Sequence, residues 1–346
     1  MTRLTDAFKN KKAFIPFVTA GDPDLSTTEA LIYAMEEAGA SVIELGIPFS
    51  DPVAEGPVIQ EADNRALAAG FRIDALFDLL EKVREKTEIP LVFLTYANPI
   101  FTYGREAFFT RCAKASIDGV IVPDVPFEER ATLLPFAREK GIALISLIAP
   151  TSHERVQMLA REAEGYIYLV SSMGVTGVRE KITTDLKEIV EKIREVSNQP
   201  VAVGFGIARP EQAAQMADIS DGAIVGSAIV KLVAKYGKTA VGPVRDYVLS
   251  MVEAGLGISI LPELLLEHTA DRVVSLPLEP AQYRTLGMGM PCRNTASPAV
   301  RNFAAYVQVY VRELDGGQCC GAQMDEIYRE CGDEGLGAVD RRKPTL

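Results

Sequence analysis

Eight short runs rich in Val, Ile, Leu, Phe or Tyr alternate with amphipathic stretches as far as about residue 250. They are Ala13–Thr19, Ser41–Gly46, Pro90–Thr95, Gly119–Pro123, Ala143–Ile148, Tyr166–Ser171, Val201–Gly204 and Ala223–Gly226. Most are apolar almost throughout, as a parallel strand buried on both faces requires. Helical patterns lie between them at Thr27–Ala38, Ile73–Lys86, Glu106–Ala115, Phe127–Lys140, Glu154–Glu162, Thr184–Val196 and Pro210–Ala217. Ser26 and Thr27 ahead of Glu29, Thr151-Ser152 ahead of Glu154, and Arg209-Pro210 read as helix starts. Gly39, Gly141 and Gly237 sit where a helix stops. Eight β/α alternations in about 250 residues predict an α/β fold of the (β/α)8 TIM-barrel type. The rival is a doubly wound open sheet, and eight strands before any change of composition favour the closed barrel.

The chain has 346 residues, more than one such barrel needs, so an appendage is expected. The pattern changes near residue 250. Val273–Leu276 and Arg284–Met290 could be strands, and Ser297-Pro298 opens an amphipathic helix to about Val311. From Arg312 onward the chain is rich in Gly, Asp and Arg with little periodicity, which predicts disorder. The expected domains are therefore a barrel over 1–252, a partial α/β appendage over 253–311 and a tail over 312–346. The 36 basic and 47 acidic residues leave a net charge of −11, which argues against nucleic acid and anionic membranes as partners. No apolar run reaches the roughly 18 residues a membrane helix needs. The first residues lead into no signal-like apolar region, so the cytoplasm is the expected location. The five cysteines fit free thiols better than a metal site, since only three cluster and both histidines, His153 and His268, are far off in sequence.

Catalytic groups of a barrel sit at the C-terminal ends of its strands. The second run carries Glu44 inside an apolar strand, where an ionised carboxylate is costly. In a dry site its pKa would rise, which suits a group that both gives and takes a proton. The plainer alternative is an ion pair with Lys or Arg across the barrel. The loop after it holds Asp51 and Glu55 between prolines and glycines. Late in the barrel, Ser171-Ser172-Met173-Gly174-Val175-Thr176-Gly177, Gly204-Phe205-Gly206-Ile207 and Val225-Gly226-Ser227-Ala228 form a glycine cluster at three strand ends. Glycines let backbone amides approach an anion, and loops after strands seven and eight are the usual phosphate site of such barrels. Carboxylates facing a phosphate cradle point to a lyase or isomerase acting on a phosphorylated small molecule, and the unaided reading stops there.

Pro16-Phe-Val-Thr-Ala-Gly-Asp-Pro23, Glu44-Leu-Gly-Ile-Pro-Phe-Ser-Asp-Pro52, Thr95-Tyr-Ala-Asn-Pro99, Val122-Pro-Asp124, Gly174-Val-Thr-Gly177, Gly204-Phe-Gly-Ile207 and Val225-Gly-Ser227 resemble the tryptophan synthase alpha chain over roughly residues 1–252. The resemblance implies reversible retro-aldol cleavage of indole-3-glycerol phosphate to indole and glyceraldehyde 3-phosphate. It implies Glu44 as the acid/base. It puts Glu55, where the family usually has Asp, against the indole N–H, with the carboxylate displaced by about 1.5 Å, one carbon–carbon bond. Phe17, Leu94 and Tyr96 would line the indole pocket, with Asp124 near it. Tyr168, Gly177, Gly206, Gly226 and Ser227 would surround the phosphate. Thr176 would lie in a closing loop, and Asp51 would communicate with the partner subunit. The implied partner is a tryptophan synthase beta chain in an alpha2–beta2 assembly. That chain would hold the pyridoxal phosphate, and this one would carry no cofactor.

Val248-Leu-Ser-Met-Val-Glu-Ala-Gly-Leu-Gly-Ile-Ser-Ile-Leu-Pro262, Arg284-Thr-Leu and Ser297-Pro-Ala-Val-Arg-Asn-Phe303 resemble the end of the effector-binding domain of LysR-type transcriptional regulators, over about residues 248–311. The resemblance implies a barrel joined to a regulator fragment, the two meeting in Val248–Ala254. Two other readings stay open: a free-standing indole-3-glycerol-phosphate lyase that needs no beta chain, and a non-catalytic small-molecule sensor.

Overall fold

The computed structural model describes residues 2–9, 12–150, 153–171, 179–204 and 206–253. Its strands are β1 (Ala13–Thr19), β2 (Ile43–Gly46), β3 (Leu91–Leu94), β4 (Gly119–Ile121), β5 (Ala143–Leu144), β6 (Ser146–Ile148), β7 (Ile167–Val170), β8 (Val201–Gly204) and β9 (Gly222–Val225). They pair in the order β5-β4-β3-β2-β1-β9-β8-β7-β6, and every pairing is parallel. The two ends of that row, β5 and β6, are separated in sequence by Ile145 alone. One extended segment therefore pairs with β4 on one side and β7 on the other, and it closes the ring. These nine strands are the eight expected runs, the fifth of them interrupted. The fold is the (β/α)8 barrel.

Side-chain alternation sorts the strands into two cores. Ile15, Val42, Val92, Ile121, Ile145, Tyr166, Ala202 and Ile224 meet inside the barrel. Residues one step away, including Phe14, Ile43, Leu91, Val120, Val201 and Val225, pack outward against the helices. Leu4, Ala7 and Phe8 join the inner cluster from the N-terminal segment. That segment is tied down by Arg3, whose Nε donates to Asp118 at 3.0 Å. Asp118 also accepts from Arg84 at 3.2 Å and from the Leu91 N–H at 2.9 Å, so one buried carboxylate joins the plug to β3.

Helices Leu25–Glu37, Ile73–Val83, Arg105–Lys114, His153–Arg161, Arg179–Arg194 and Pro210–Ile219 fall on expected patterns. Gly39, Gly141 and Gly237 all have positive φ, as helix stops should. Two expectations are corrected. The first helix is capped by Asp24, not by Ser26 or Thr27; the Asp24 carboxylate accepts the Thr27 N–H at 2.8 Å. The stretch Phe127–Lys140 is not one helix but a 3-10 turn, Phe127–Thr132, and an α-helix, Leu134–Glu139. Pro135 explains the break, because proline has no N–H for the preceding turn and clashes with its carbonyl. Pro57–Ala68, Ala97–Tyr103, Ser227–Tyr236 and Val241–Met251 are further helices. The expected appendage and tail, beyond residue 253, lie outside the described residues.

Gly222 opens β9 against the β1 backbone, and a Cβ there would meet the Ala13 carbonyl oxygen at 2.7 Å. That oxygen is main chain and cannot swing aside. Gly222→Ala is expected to cost about 1–3 kcal/mol, the usual cost of overpacking. Urea unfolding should show the loss, and an unchanged midpoint would contradict it.

Candidate active site

The C-terminal mouth is built from the strand ends. Glu44 lies on β2 two residues beyond the inward-facing Val42 and is 1% exposed. Across the barrel, Tyr166 donates its hydroxyl to Glu44 Oε1 at 2.5 Å. Among the described residues no Lys or Arg pairs with Glu44, so the ion-pair alternative finds no support there. Burial pushes its carboxyl up to about 8, and the Tyr166 hydroxyl pulls the other way by stabilising the charged form. Near neutral pH this group can both donate and accept a proton. Tyr166 in turn rests on the N-terminal plug, its ring centroid 5.6 Å from that of Phe8.

Tyr168 lies two residues on from Tyr166 and faces the same interior, packed with the inner cluster. Its hydroxyl fills the space a side chain at Gly204 would need. Burial and the Glu44 charge both raise its pKa. Gly206, with φ +77°, and Gly226, the uncapped N-cap of helix Ser227–Tyr236, stand at the neighbouring strand ends. Ser227 is the first residue of that helix and is exposed. Its open N-terminus supplies unpaired N–H groups and a favourable dipole for an anion. Thr176 and Gly177 lie outside the described residues.

On the other side of the mouth, Tyr96 follows β3 and organises the loop after β2. Its hydroxyl donates to Glu55 Oε2 at 2.5 Å and accepts the Ala54 N–H at 3.1 Å. Its ring lies 5.3 Å from that of Phe49, at the start of the same loop. Burial raises the Glu55 pKa, the Tyr96 bond lowers it, and the Asp124 charge raises it again. Asp124 is exposed and accepts the Ala97 N–H, at 3.0 Å and 3.2 Å on its two oxygens, at the start of helix Ala97–Tyr103. Phe17 and Leu94 pack together with Ile59, Ala62 and Val230. Asp51 is exposed and accepts from Ser50 Oγ at 2.5 Å; nearby Val53 is 77% exposed.

The structure thus gathers Glu44 with Tyr168, and Glu55 with Tyr96 and Asp124, at one end of the barrel. A cavity of about 200 Å³ lies to one side, between the loop after β4 and helix His153–Arg161, and none of these groups lines it. Among the described residues no cluster of His, Cys, Asp or Glu could hold a metal ion. No helix among them is long and apolar enough to cross a membrane. Sequence reasoning missed Tyr166, which the period-2 rule places on the same face as Tyr168. It also missed Asp63, a buried acid on helix Pro57–Ala68.

A parallel (β/α)8 barrel with a buried, proton-exchanging carboxylate at its mouth is the architecture of a barrel enzyme. The tryptophan synthase alpha chain model matches residues 4–252. Alpha chains of Lacticaseibacillus casei and Lactiplantibacillus plantarum are 50% and 51% identical, covering 71% and 73% of this chain and 93% and 96% of their own. The solved alpha subunit of Legionella pneumophila superposes with a TM-score of 0.67 at 35% identity, over 73% of this chain and 98% of that one. A structure of the tryptophan synthase a2b2 complex from Pyrococcus furiosus gives 0.65 at 36% identity, over 70% and 98%. The chain belongs to the tryptophan synthase alpha chain family, lyases of tryptophan biosynthesis. A second model, the LysR substrate binding domain, matches residues 245–311. The two matches overlap over 245–252, within and just after helix Val241–Met251.

An acid whose pKa is higher folded than unfolded binds more protons in the native state. Stability contributed by protonated Glu44 is therefore complete below about pH 4.5 and is lost as pH rises towards 8. Glu44→Gln should raise the melting temperature at pH 8.5 and leave it near the wild-type value at pH 4.5. Equal shifts at both pH values would show that burial does not perturb this group.

Proposed function

We propose that the barrel splits indole-3-glycerol phosphate reversibly into indole and glyceraldehyde 3-phosphate, with Glu44 as the acid/base. The reading is carried by one observation: a fully buried carboxylate at a strand end, poised near neutral pH and held by Tyr166. Cleavage first needs C3 of the indole ring protonated, which turns the ring into an electron sink. The glycerol 3′-hydroxyl then loses its proton as the C–C bond breaks, and the electron pair returns to the ring. A group that alternates between acid and base serves both transfers. Glu55, steadied by Tyr96, accepts the indole N–H as positive charge develops there. Phe17, Leu94 and Tyr96 hold the ring, with Asp124 at the rim. The phosphate sits against Gly206, Gly226 and Ser227, with Tyr168 and Gly177 beside it. Thr176 belongs to the loop that closes over the substrate and excludes water.

We further propose a beta-chain partner in an alpha2–beta2 assembly, docked near Asp51 and the exposed Val53. That partner would carry the pyridoxal phosphate; the alpha reaction itself asks only for proton transfers. The cytoplasm is the fitting location. On this reading the barrel domain ends near residue 252, and the regulator-like segment to about 311 and the tail beyond it are additions to a working alpha chain.

Indole release from indole-3-glycerol phosphate tests the reading. Glu44→Gln is expected to lower kcat by about 10²–10⁴-fold, the range for a lost general acid/base. Tyr166→Phe removes a donor to the charged form, so the Glu44 pKa should rise and the Glu44 limb of the pH profile should move to higher pH. Added beta chain should increase the rate. Unchanged release by Glu44→Gln would overturn the assignment, and indifference to the beta chain would favour the free-standing lyase.

A further inference from the structure

Gly56 alone separates Glu55 from helix Pro57–Ala68. It is the N-cap of that helix and has no side chain to cap it with. Its backbone is extended, with φ −80° and ψ 172°. A Cβ there would meet nothing within 4 Å, so no neighbouring group packs against the joint. Glycine is also the residue with most freedom to turn about its backbone bonds. Left to itself, this joint would let Glu55 swing relative to the helix.

Gln60 spans it. The Gln60 main-chain N–H donates to the Gly56 carbonyl at 3.2 Å, as the first turn of a helix requires. Its side-chain Nε2 donates one residue further back, to the Glu55 carbonyl at 2.8 Å. One residue thus grips the carbonyls on both sides of the Gly56 Cα. We propose that Gln60 is a positioning residue for Glu55, locking the Gly56 joint so that the carboxylate stays on Tyr96 and meets the indole N–H. The inference rests on the reading of Glu55 given above.

A grip of this kind fixes Glu55 only if the helix behind it is itself fixed. Ile59 and Ala62 pack with Phe17 and Val230. Arg65 gives its Nε and Nη2 to the buried Asp22, at 2.9 Å and 2.8 Å, and ties the helix to the turn after β1. From the other side the Tyr96 hydroxyl donates to the Glu55 carboxylate and accepts the Ala54 N–H. Glu55 is therefore held by its side chain from β3 and by its main chain from the helix. Gln60 itself is exposed, so changing it leaves the buried face of the helix, Ile59, Ala62, Asp63 and Ala66, as it is.

The test is indole release by the full chain with beta chain at saturation, so that weaker docking is not read as lost positioning. The variants are Gln60→Met, Gln60→Ala, Glu55→Gln and the double variants of each Gln60 change with Glu55→Gln. Methionine keeps the length of the side chain and has no N–H to give. Both single changes at Gln60 should lower kcat about fivefold, the scale of one hydrogen bond, and leave KM within about twofold. In the Glu55→Gln background either change should cost less than about twofold, because its effect passes through Glu55. The same fivefold cost in both backgrounds would overturn the inference and leave the Glu55 reading intact. So would wild-type kcat in both single variants, or a raised KM with kcat unchanged, which would mark Gln60 as a binding residue. An unaltered Glu55→Gln would overturn the Glu55 reading itself, and this inference with it. Should Gln60→Ala fail to fold, Gln60→Met and its double variant decide by the same thresholds.

Discussion

Glu44 lies on β2, two residues beyond Val42, in an inner layer with Val92, Ile121, Ile145 and Ile224. A carboxylate there has exchanged water for hydrocarbon, and a single Tyr166 hydroxyl returns part of the lost solvation. The neighbouring parts of the barrel follow from that exchange. The plug residue Phe8 supports Tyr166, and Gly204 leaves room for Tyr168, which completes the aromatic wall on that side. A cation beside Glu44 would have lowered its pKa and kept it ionised, a weak base with no proton to give near neutral pH. Leaving it beside a phenol keeps both protonation states within reach near neutral pH.

The second acid is treated differently. Glu55 sits on a loop, partly open to solvent, and is held by a tyrosine that contacts the loop at both ends. Its carboxylate stands one methylene further from the backbone than an aspartate's would. It ends on the Tyr96 hydroxyl at 2.5 Å. The same region carries Asp22, Asp63 and Asp124 with Arg65 as the nearby cation, so the mouth is acidic around Glu55. The strand ends at Gly206 and Gly226, with an open helix N-terminus, would suit an anion. A substrate with an indole at one end and a phosphate at the other matches that polarity.

The barrel was legible because its strands are buried on both faces and read as unbroken apolar runs. Only the interruption at Ile145 escaped, since local sequence does not say where parallel pairing passes from one neighbour to the next. Helix Pro57–Ala68 was hidden for a related reason. Asp63 occupies one of its inward positions, so the apolar stripe that would reveal the helix is broken by an acid. Asp24 was missed as a cap because Ser26 and Thr27 also fit that role by composition. The placement of Glu44, the loop acids and the glycine ends could be read from strand position alone. Tyr166 as the partner of Glu44 could not, because that bond joins residues 122 apart in sequence.

The LysR-type match begins at 245, on residues the alpha-chain match also claims. Helix Val241–Met251 buries Val244, Val248 and Met251 against the barrel, so it serves the first fold whatever follows it. The proposed chemistry turns on the protonation of Glu44, which can be observed directly. Isotope-edited infrared titration of the carboxyl groups, with Glu44→Gln subtracted, isolates this one side chain. A midpoint near pH 8 is expected. A midpoint near 4.5 would mean that the barrel interior leaves Glu44 an ordinary carboxylate, unable to donate a proton at neutral pH.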